Sequence, residues 1–177
     1  MTTLIRQPSS PDLHWQYLPF AQLGAAHLYA LLQLRSAVFV VEQACVFQDI
    51  DGLDPQAMHL LGVANAQAGS ITTGQEANSL VAQGQLLAYA RCFPAGVAYP
   101  EASIGRVATH PSARGAGAGH ALMAQALAQM QVQWGAQPVR IGAQAHLQGF
   151  YAQHGFVATG NGYMEDGIAH VQMLRGA

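Results

Sequence analysis

The stretch Ile104–Met130, IGRVATHPSARGAGAGHALMAQALAQM, constrains this chain more than any other. Ile104–Thr109 reads as a strand, and Pro111 ends it because proline has no N–H to give to a sheet ladder. A tight glycine loop follows, Arg114-Gly-Ala-Gly-Ala-Gly119. From Ala121, the apolar positions Leu122, Met123, Ala126, Leu127 and Met130 recur at helical spacing. A helix that begins at such a loop leaves several N–H groups without intrahelical partners at its positive end. Glycines remove the Cβ atoms that would keep a ligand away from them. With the charge of Arg114, the stretch forms a seat for a phosphate or pyrophosphate.

The chain of 177 residues is long enough for one full domain and short for two. Only 9% of residues are charged, against a usual share of about 25%. The net charge of −2 supplies no basic field, which argues against nucleic acid or an acidic membrane as partner. The longest apolar runs fall far short of a bilayer span, and MTTLIRQPSSPD has no apolar signal core, so a cytoplasmic location is expected. Cys45 and Cys92 are expected as free, buried thiols. The eight histidines show no ligand spacing, and no metal is expected.

In chain order, residues 1–11 are expected as a loose tail and residues 12–177 as the folded domain. Leu13–Phe20 reads as a first strand. Leu23–Val41 is helical at least through Ser36, and Val38–Val41 is either helical or extended. Glu42–Pro55 is an acidic loop in which Asp49, Asp51 and Asp54 read as a solvated turn able to attract a cationic acceptor. Ala57–Ala64 and Gln85–Phe93 are buried strands around a hairpin insertion, residues 65–83. Val139–Ala143 is a further strand, and Leu147–His154 a short helix capped by Gly155. Phe156–Thr159 and Ile168–Leu174 are expected to pair as a final hairpin whose long exposed edge offers a homodimer contact.

Two familiar glycine-loop readings fail. The dinucleotide fingerprint needs a different glycine spacing and a downstream acid, and Leu127–Gln137 has none. The mononucleotide loop needs Gly-Lys-Ser/Thr, whereas His120 and Ala121 follow Gly119. The remaining pattern is Arg-x-x-Gly-x-Gly, filled by Arg114, Gly117 and Gly119. It resembles the pyrophosphate loop of the GCN5-related N-acetyltransferase (GNAT) superfamily. The block Gln144–Phe156, with Phe150-Tyr151-x-x-x-Gly155-Phe156, is similar to the segment that follows the long helix in that superfamily. Leu28–Asp51, Gly105-Arg-Val, Ile141–Gln148 and Glu165-Asp-Gly-Ile-Ala-His170 together resemble its ElaA-like branch.

The resemblance implies a single-domain α/β fold: a twisted, mixed and mostly antiparallel sheet with helices on both faces. It implies an N-acetyltransferase that passes the acetyl group of acetyl-CoA directly to an amine of a small molecule or peptide. The pyrophosphate would lie on the N–H groups of Gly115, Ala116, Gly117, Ala118, Gly119 and His120, beside Arg114. The pantetheine arm would pair with Val107, Ala108 and Thr109 and meet Gln144. An N–H near Val107 would face the developing oxyanion, and Tyr151 would protonate the departing thiolate.

No carboxylate stands mid-strand to serve as base, which leaves Glu42, Asp49, His110 and His146 as candidates. Arg35 and Glu42 either line the acceptor pocket or pair with each other. Arg106 either binds an acceptor carboxylate or forms an ion pair. Tyr151 is either the acid or a core residue. Two other functions stay open: a non-enzymatic acyl-CoA-binding sensor and an acyl-homoserine lactone synthase-like enzyme.

Overall fold

A computed structural model of the chain describes residues 12–65, 84–160 and 162–177. The expected tail and residues 66–83 of the expected insertion lie outside them. Eight strands form one sheet: β1 (Leu13–Pro19), β2 (Met58–Ala64), β3 (Leu86–Phe93), β4 (Ala102–Thr109), β5 (Val139–Gln144), β6 (Val157–Ala158), β7 (Tyr163–Glu165) and β8 (Ile168–Arg175). The order is β1-β2-β3-β4-β5-β8-β6, with β7 also on β8. Every pairing is antiparallel except that of β4 with β5. This is the expected mixed, mostly antiparallel sheet. No described helix is long and apolar enough to cross a membrane.

Alternation along the strands sorts side chains onto two faces. Leu60, Ala88, Ala90, Cys92 and Ile104 share one core with α2 (Ala118–Trp134), which contributes Leu122, Met123, Ala126 and Met130. Leu61, Val63, Tyr89 and Ala108 share the other with α1 (Ala25–Arg35), which contributes Leu31 and Leu34. Covered on both faces, β3 is buried at every position. Full burial of one aliphatic side chain is worth about 1.5–3 kcal/mol.

Past Arg35 the helix widens into a π-helical segment, Ser36–Glu42, with i→i+5 bonds from Gln43 N–H to the Val38 carbonyl (3.3 Å) and Cys45 N–H to the Val40 carbonyl (3.2 Å). The β-branched run Val38–Val41 is thus helical rather than extended. Between β2 and β3, Ala64 N–H donates to the Gln85 carbonyl (2.9 Å), and Gly84 has φ +83° with the Ala64 carbonyl oxygen lying where a Cβ would stand.

Two expectations change. The expected pairing of Phe156–Thr159 with Ile168–Leu174 is present as β6 on β8, but β8 offers no long exposed edge: it pairs with β5 along one side and with β6 and β7 along the other. The edge beyond it consists of two strands of only two and three residues. The acidic segment is not a solvated turn either, since Asp49 and Asp54 are buried. The cause is three arginines held inside the fold, which need anions there. Arg35, fully buried on α1, donates from Nε to Asp49 Oδ2 (2.9 Å), from Nη1 to Asp54 Oδ1 (2.7 Å) and from Nη2 to the Asp49 carbonyl (2.7 Å). Arg91, on β3, donates to Asp51 Oδ1 (2.8 Å) and Oδ2 (2.6 Å) and to Asp54 Oδ1 (2.9 Å). Arg106, on β4, donates from Nε to Asp49 Oδ1 (2.7 Å). Beside them, buried His59 lies 2.8 Å from Tyr89 Oη and 3.0 Å from the Asp54 carbonyl.

Replacing Arg35 leaves buried carboxylates undercompensated, so Arg35→Met should lower unfolding free energy by about 3–5 kcal/mol in denaturant titrations. Arg35→Lys should recover little, because one ammonium cannot span the three acceptors that the guanidinium fork reaches. Acid should also unfold the protein in two stages. Burial drives the His59 pKa below its ordinary value, against the pull of Asp54. For Asp51, partial burial works upward, but hydrogen bonds from Arg91 and the Leu53 N–H prevail and hold the carboxyl well below its usual range. Both folded-state values are depressed, so both contributions are complete at high pH and are lost as pH falls. Melting temperature should decline first below about pH 6.5 as His59 charges, and again below about pH 4 as Asp51 protonates.

Candidate active site

The site exists because one ladder stops early. β4 and β5 pair only at Ala102–Val139 and Ser103–Arg140, whereas β5 follows β8 through all six of its residues. Beyond Ser103, β4 and β5 diverge and leave a cleft. A cavity of about 260 Å³ opens there, lined by Ile104, Gly105, Arg106 and Val107 from β4 and by Ile141, Gly142 and Gln144 from β5. Phe39, Gln43 and Phe47 wall it from the π-helical side, and Glu165, Asp166, Ile168 and His170 from β7, β8 and their turn.

Along its other edge, against β3, β4 carries a bulge. Its register against β3 jumps from Arg91–Gly105 to Tyr89–Ala108, which leaves Arg106 and Val107 without partners. Arg106 has φ +51°, a left-handed conformation that costs a non-glycine residue roughly 1–3 kcal/mol. Its ion pair with Asp49 offsets that strain. A bulge bends its strand locally, and Arg106 and Val107 line the same cavity as Tyr151.

Tyr151 stands on α3 (Gln148–Ala152), which a 3-10 turn, Ala145–Leu147, precedes. Gly155, at φ +83°, closes this helix, with Phe156 N–H donating to the Tyr151 carbonyl (3.3 Å). The Tyr151 ring packs edge-on to Phe150 and Phe156. The residue is 7% exposed, and burial pushes its phenol up to about 12. It therefore keeps its proton throughout the neutral range.

At the glycine loop, Gly115 and Gly117 have φ +75° and +83°, which only glycine adopts without strain. Gly117 is the N-cap, so α2 begins at Ala118, one turn earlier than the apolar periodicity indicates. The first-turn N–H groups of Ala118, Gly119 and His120 are free of α-helical partners. His120 Nδ1 lies 3.0 Å from His154 Nε2.

Several residues expected at the site stand elsewhere. Arg35 and Glu42 do not pair: Arg35 is buried with the aspartates, and Glu42 accepts both Nη donors of Arg114 at 2.7 and 2.8 Å. Arg35, Glu42 and Asp49 are not among the cavity-lining residues. His146 is exposed and lies outside the cavity too. His110 caps the turn Pro111–Ala113 by accepting from Ser112 N–H (3.2 Å). Arg106 does line the cavity, with its charge engaged by Asp49 and, at 3.3 Å, by Asp51. Gln144 lines it as well and donates to Gln43 Oε1 (3.1 Å).

Sequence reasoning missed the cavity-lining Tyr99, Arg91 and Ser103 and gave no role to Glu165, Asp166 and His170. A charge inside the otherwise apolar strand QLLAYARCF was a legible sign that Arg91 needed buried anions. Tyr99, in the turn before β4, gave no such sign.

The comparisons agree with this geometry. Residues 54–175 match the family model described as an acetyltransferase (GNAT) domain. Protein ElaA of Escherichia coli is 41% identical over 165 residues, covering 92% of this chain and 96% of that one. A UPF0039 protein of Synechocystis is 37% identical over 163 residues, covering 92% and 95%. The crystal structure of an acyl-CoA N-acyltransferase from Pseudomonas aeruginosa superposes with a TM-score of 0.79 at 41% identity, covering 93% of this chain and all of that one. The structure of Escherichia coli ElaA gives 0.77 at 40% identity, covering 92% and 99%. With its early-ending β4–β5 ladder, its glycine loop and these relatives, the chain belongs to the GNAT acetyltransferase family, on its ElaA-like branch.

Proposed function

We propose that this acyltransferase moves the acetyl group of acetyl-CoA to a primary amine of a small molecule or peptide. The observation that carries the reading is the cleft where β4 leaves β5, with unpaired Arg106 and Val107 on one wall and Tyr151 on the other. The pyrophosphate is assigned to the N–H groups of Gly115–His120, where the start of α2 favours negative charge. Arg114 joins it by exchanging Glu42 for phosphate oxygens. The pantetheine arm is assigned to the open side of Val107–Thr109, with Gln144 opposite.

The amine nitrogen attacks the thioester carbonyl carbon. An N–H at the bulge, near Val107, meets the oxygen as it becomes negative, a kind of contact worth several kcal/mol in a desolvated site. The C–S bond then breaks, and Tyr151 donates its hydroxyl proton to the sulfur. Arg91 and Arg106 are compensated by Asp49, Asp51 and Asp54, so among the described residues the cavity presents no free cation to repel an incoming ammonium. The acceptor is therefore drawn by the exposed Glu165 and Asp166 rather than by the buried aspartates.

Acetyl-CoA at about 100 times its dissociation constant should stabilise the protein by roughly 2.7 kcal/mol, read as an upward melting shift of several degrees. No shift at millimolar acetyl-CoA defeats the reading. Tyr151→Phe should keep that shift and lose about 10²–10⁴-fold in kcat for acetylation of a responsive amine. Because burial raises the Tyr151 pKa, the acid form persists as pH rises, and kcat should show no alkaline fall from this group below its value of about 12.

A further inference from the structure

Resting on the acyl-transfer reading above, we infer that His170 takes the proton that the attacking amine loses. The residues that sequence alone offered for this task are engaged or remote: Glu42 with Arg114, Asp49 with Arg35 and Arg106, His110 with Ser112, and His146 outside the cavity. Three proton-accepting side chains do line the cavity, Glu165, Asp166 and His170. The two carboxylates sit exposed at the turn between β7 and β8, and Asp166 has φ +50°.

His170 is held differently. It lies on β8, in register with Gln144 of β5 on one side and Tyr163 of β7 on the other. Its ring stacks on that of Tyr163, with centroids 5.6 Å apart and planes at 28°. Nδ1 is 2.9 Å from the Ile168 carbonyl oxygen. A carbonyl only accepts, so the neutral ring carries its hydrogen on Nδ1 and keeps a lone pair on Nε2. Among the described residues, Nε2 has no hydrogen-bond partner. One tautomer and one ring orientation are thus fixed before any substrate arrives. Imidazole also suits the task better than a carboxylate, because proton transfer is most efficient when the base is matched to the working pH.

On its own side of the cavity, His170 shares the wall with Glu165 and Asp166, and its ring stacks on the Tyr163 phenol. Across the cavity, Arg91 and Arg106 are compensated by aspartates, and the phenols of Tyr99 and Tyr151 complete the set. The step balances. The nitrogen lone pair forms the C–N bond, the C–S bond breaks, one proton passes from nitrogen to His170 Nε2, and one passes from Tyr151 to sulfur. Solvent returns the proton from His170 to the Tyr151 phenolate, leaving an amide and the CoA thiol.

Two variants separate this role from a structural one. His170→Asn keeps a donor near the Nδ1 position for the Ile168 carbonyl but has no atom at Nε2. His170→Ala leaves room for added imidazole. CoA release is measured with acetyl-CoA and the best acceptor from a panel of polyamines, aminoglycosides, amino acids and short peptides, across the pH range in which imidazole titrates. The quantity followed is kcat, which reports groups in the bound complex rather than the free amine. His170→Asn should retain the acetyl-CoA melting shift, lose about 10²-fold or more in kcat, and lack the acid limb of the wild-type profile. Imidazole should restore part of the turnover of His170→Ala. If His170→Asn keeps the wild-type kcat and acid limb, or if the limb vanishes in Glu165→Gln instead, His170 is not the base and the acyl-transfer reading stands. If the wild-type protein acetylates no amine in the panel, both assignments fall together.

Discussion

Two buried carboxylates, Asp49 and Asp54, join α1 to the sheet. Asp49 gives one oxygen to Arg35 on α1 and the other to Arg106 on β4, and its carbonyl accepts from Arg35 as well. Without it, Arg106 would have little reason to remain at a positive φ, and the bulge in β4 would lose its main support. Asp51 and Asp54 extend the same arrangement to Arg91. Balanced charge explains how three arginines remain inside a protein with so few ionic residues. An arginine left without its partner there would cost several kcal/mol.

The cleft is a consequence of unequal strand pairing. β5 is committed to β8 along its whole length, and β4 to β3, so the two halves of the sheet share only two parallel pairs. The space between them is bounded by backbone on both sides. That leaves edge-like N–H and C=O groups along the cleft. In the proposed reaction these would meet the extended ligand arm, the glycine loop would supply the anchor, and the bulge and Tyr151 would face the reacting end.

Much of the architecture could be read from residue patterns. Strand alternation, the glycine loop and the Phe150–Phe156 block located β1 through β5, α2 and α3, because each depends on local periodicity or a turn that only glycine permits. What escaped depended on pairing between distant residues. Asp49, Asp51 and Asp54 look like a solvated turn until Arg35, Arg91 and Arg106 arrive from three other elements. The bulge at Arg106 has no glycine at its left-handed position, because that residue is held by an ion pair formed across 57 positions. The edge of β8 disappears for a similar reason: beside the expected strand at Phe156–Thr159, β7 is too short to announce itself by alternation. Glu42 shows how close two readings can lie, since it does form a salt bridge, but with Arg114 of the glycine loop.

The rung between Ala64 and Gln85 closes the chain between β2 and β3 at its base, and Gly84 allows the close approach. The base also packs beside the glycine loop, where Ala64 meets the small cluster of Leu87, Ala113 and Ala118. Gln85, exposed at this base and in contact with His110 just before the glycine loop, is thus a natural point of attachment for a fluorophore or affinity handle that reports on the start of α2.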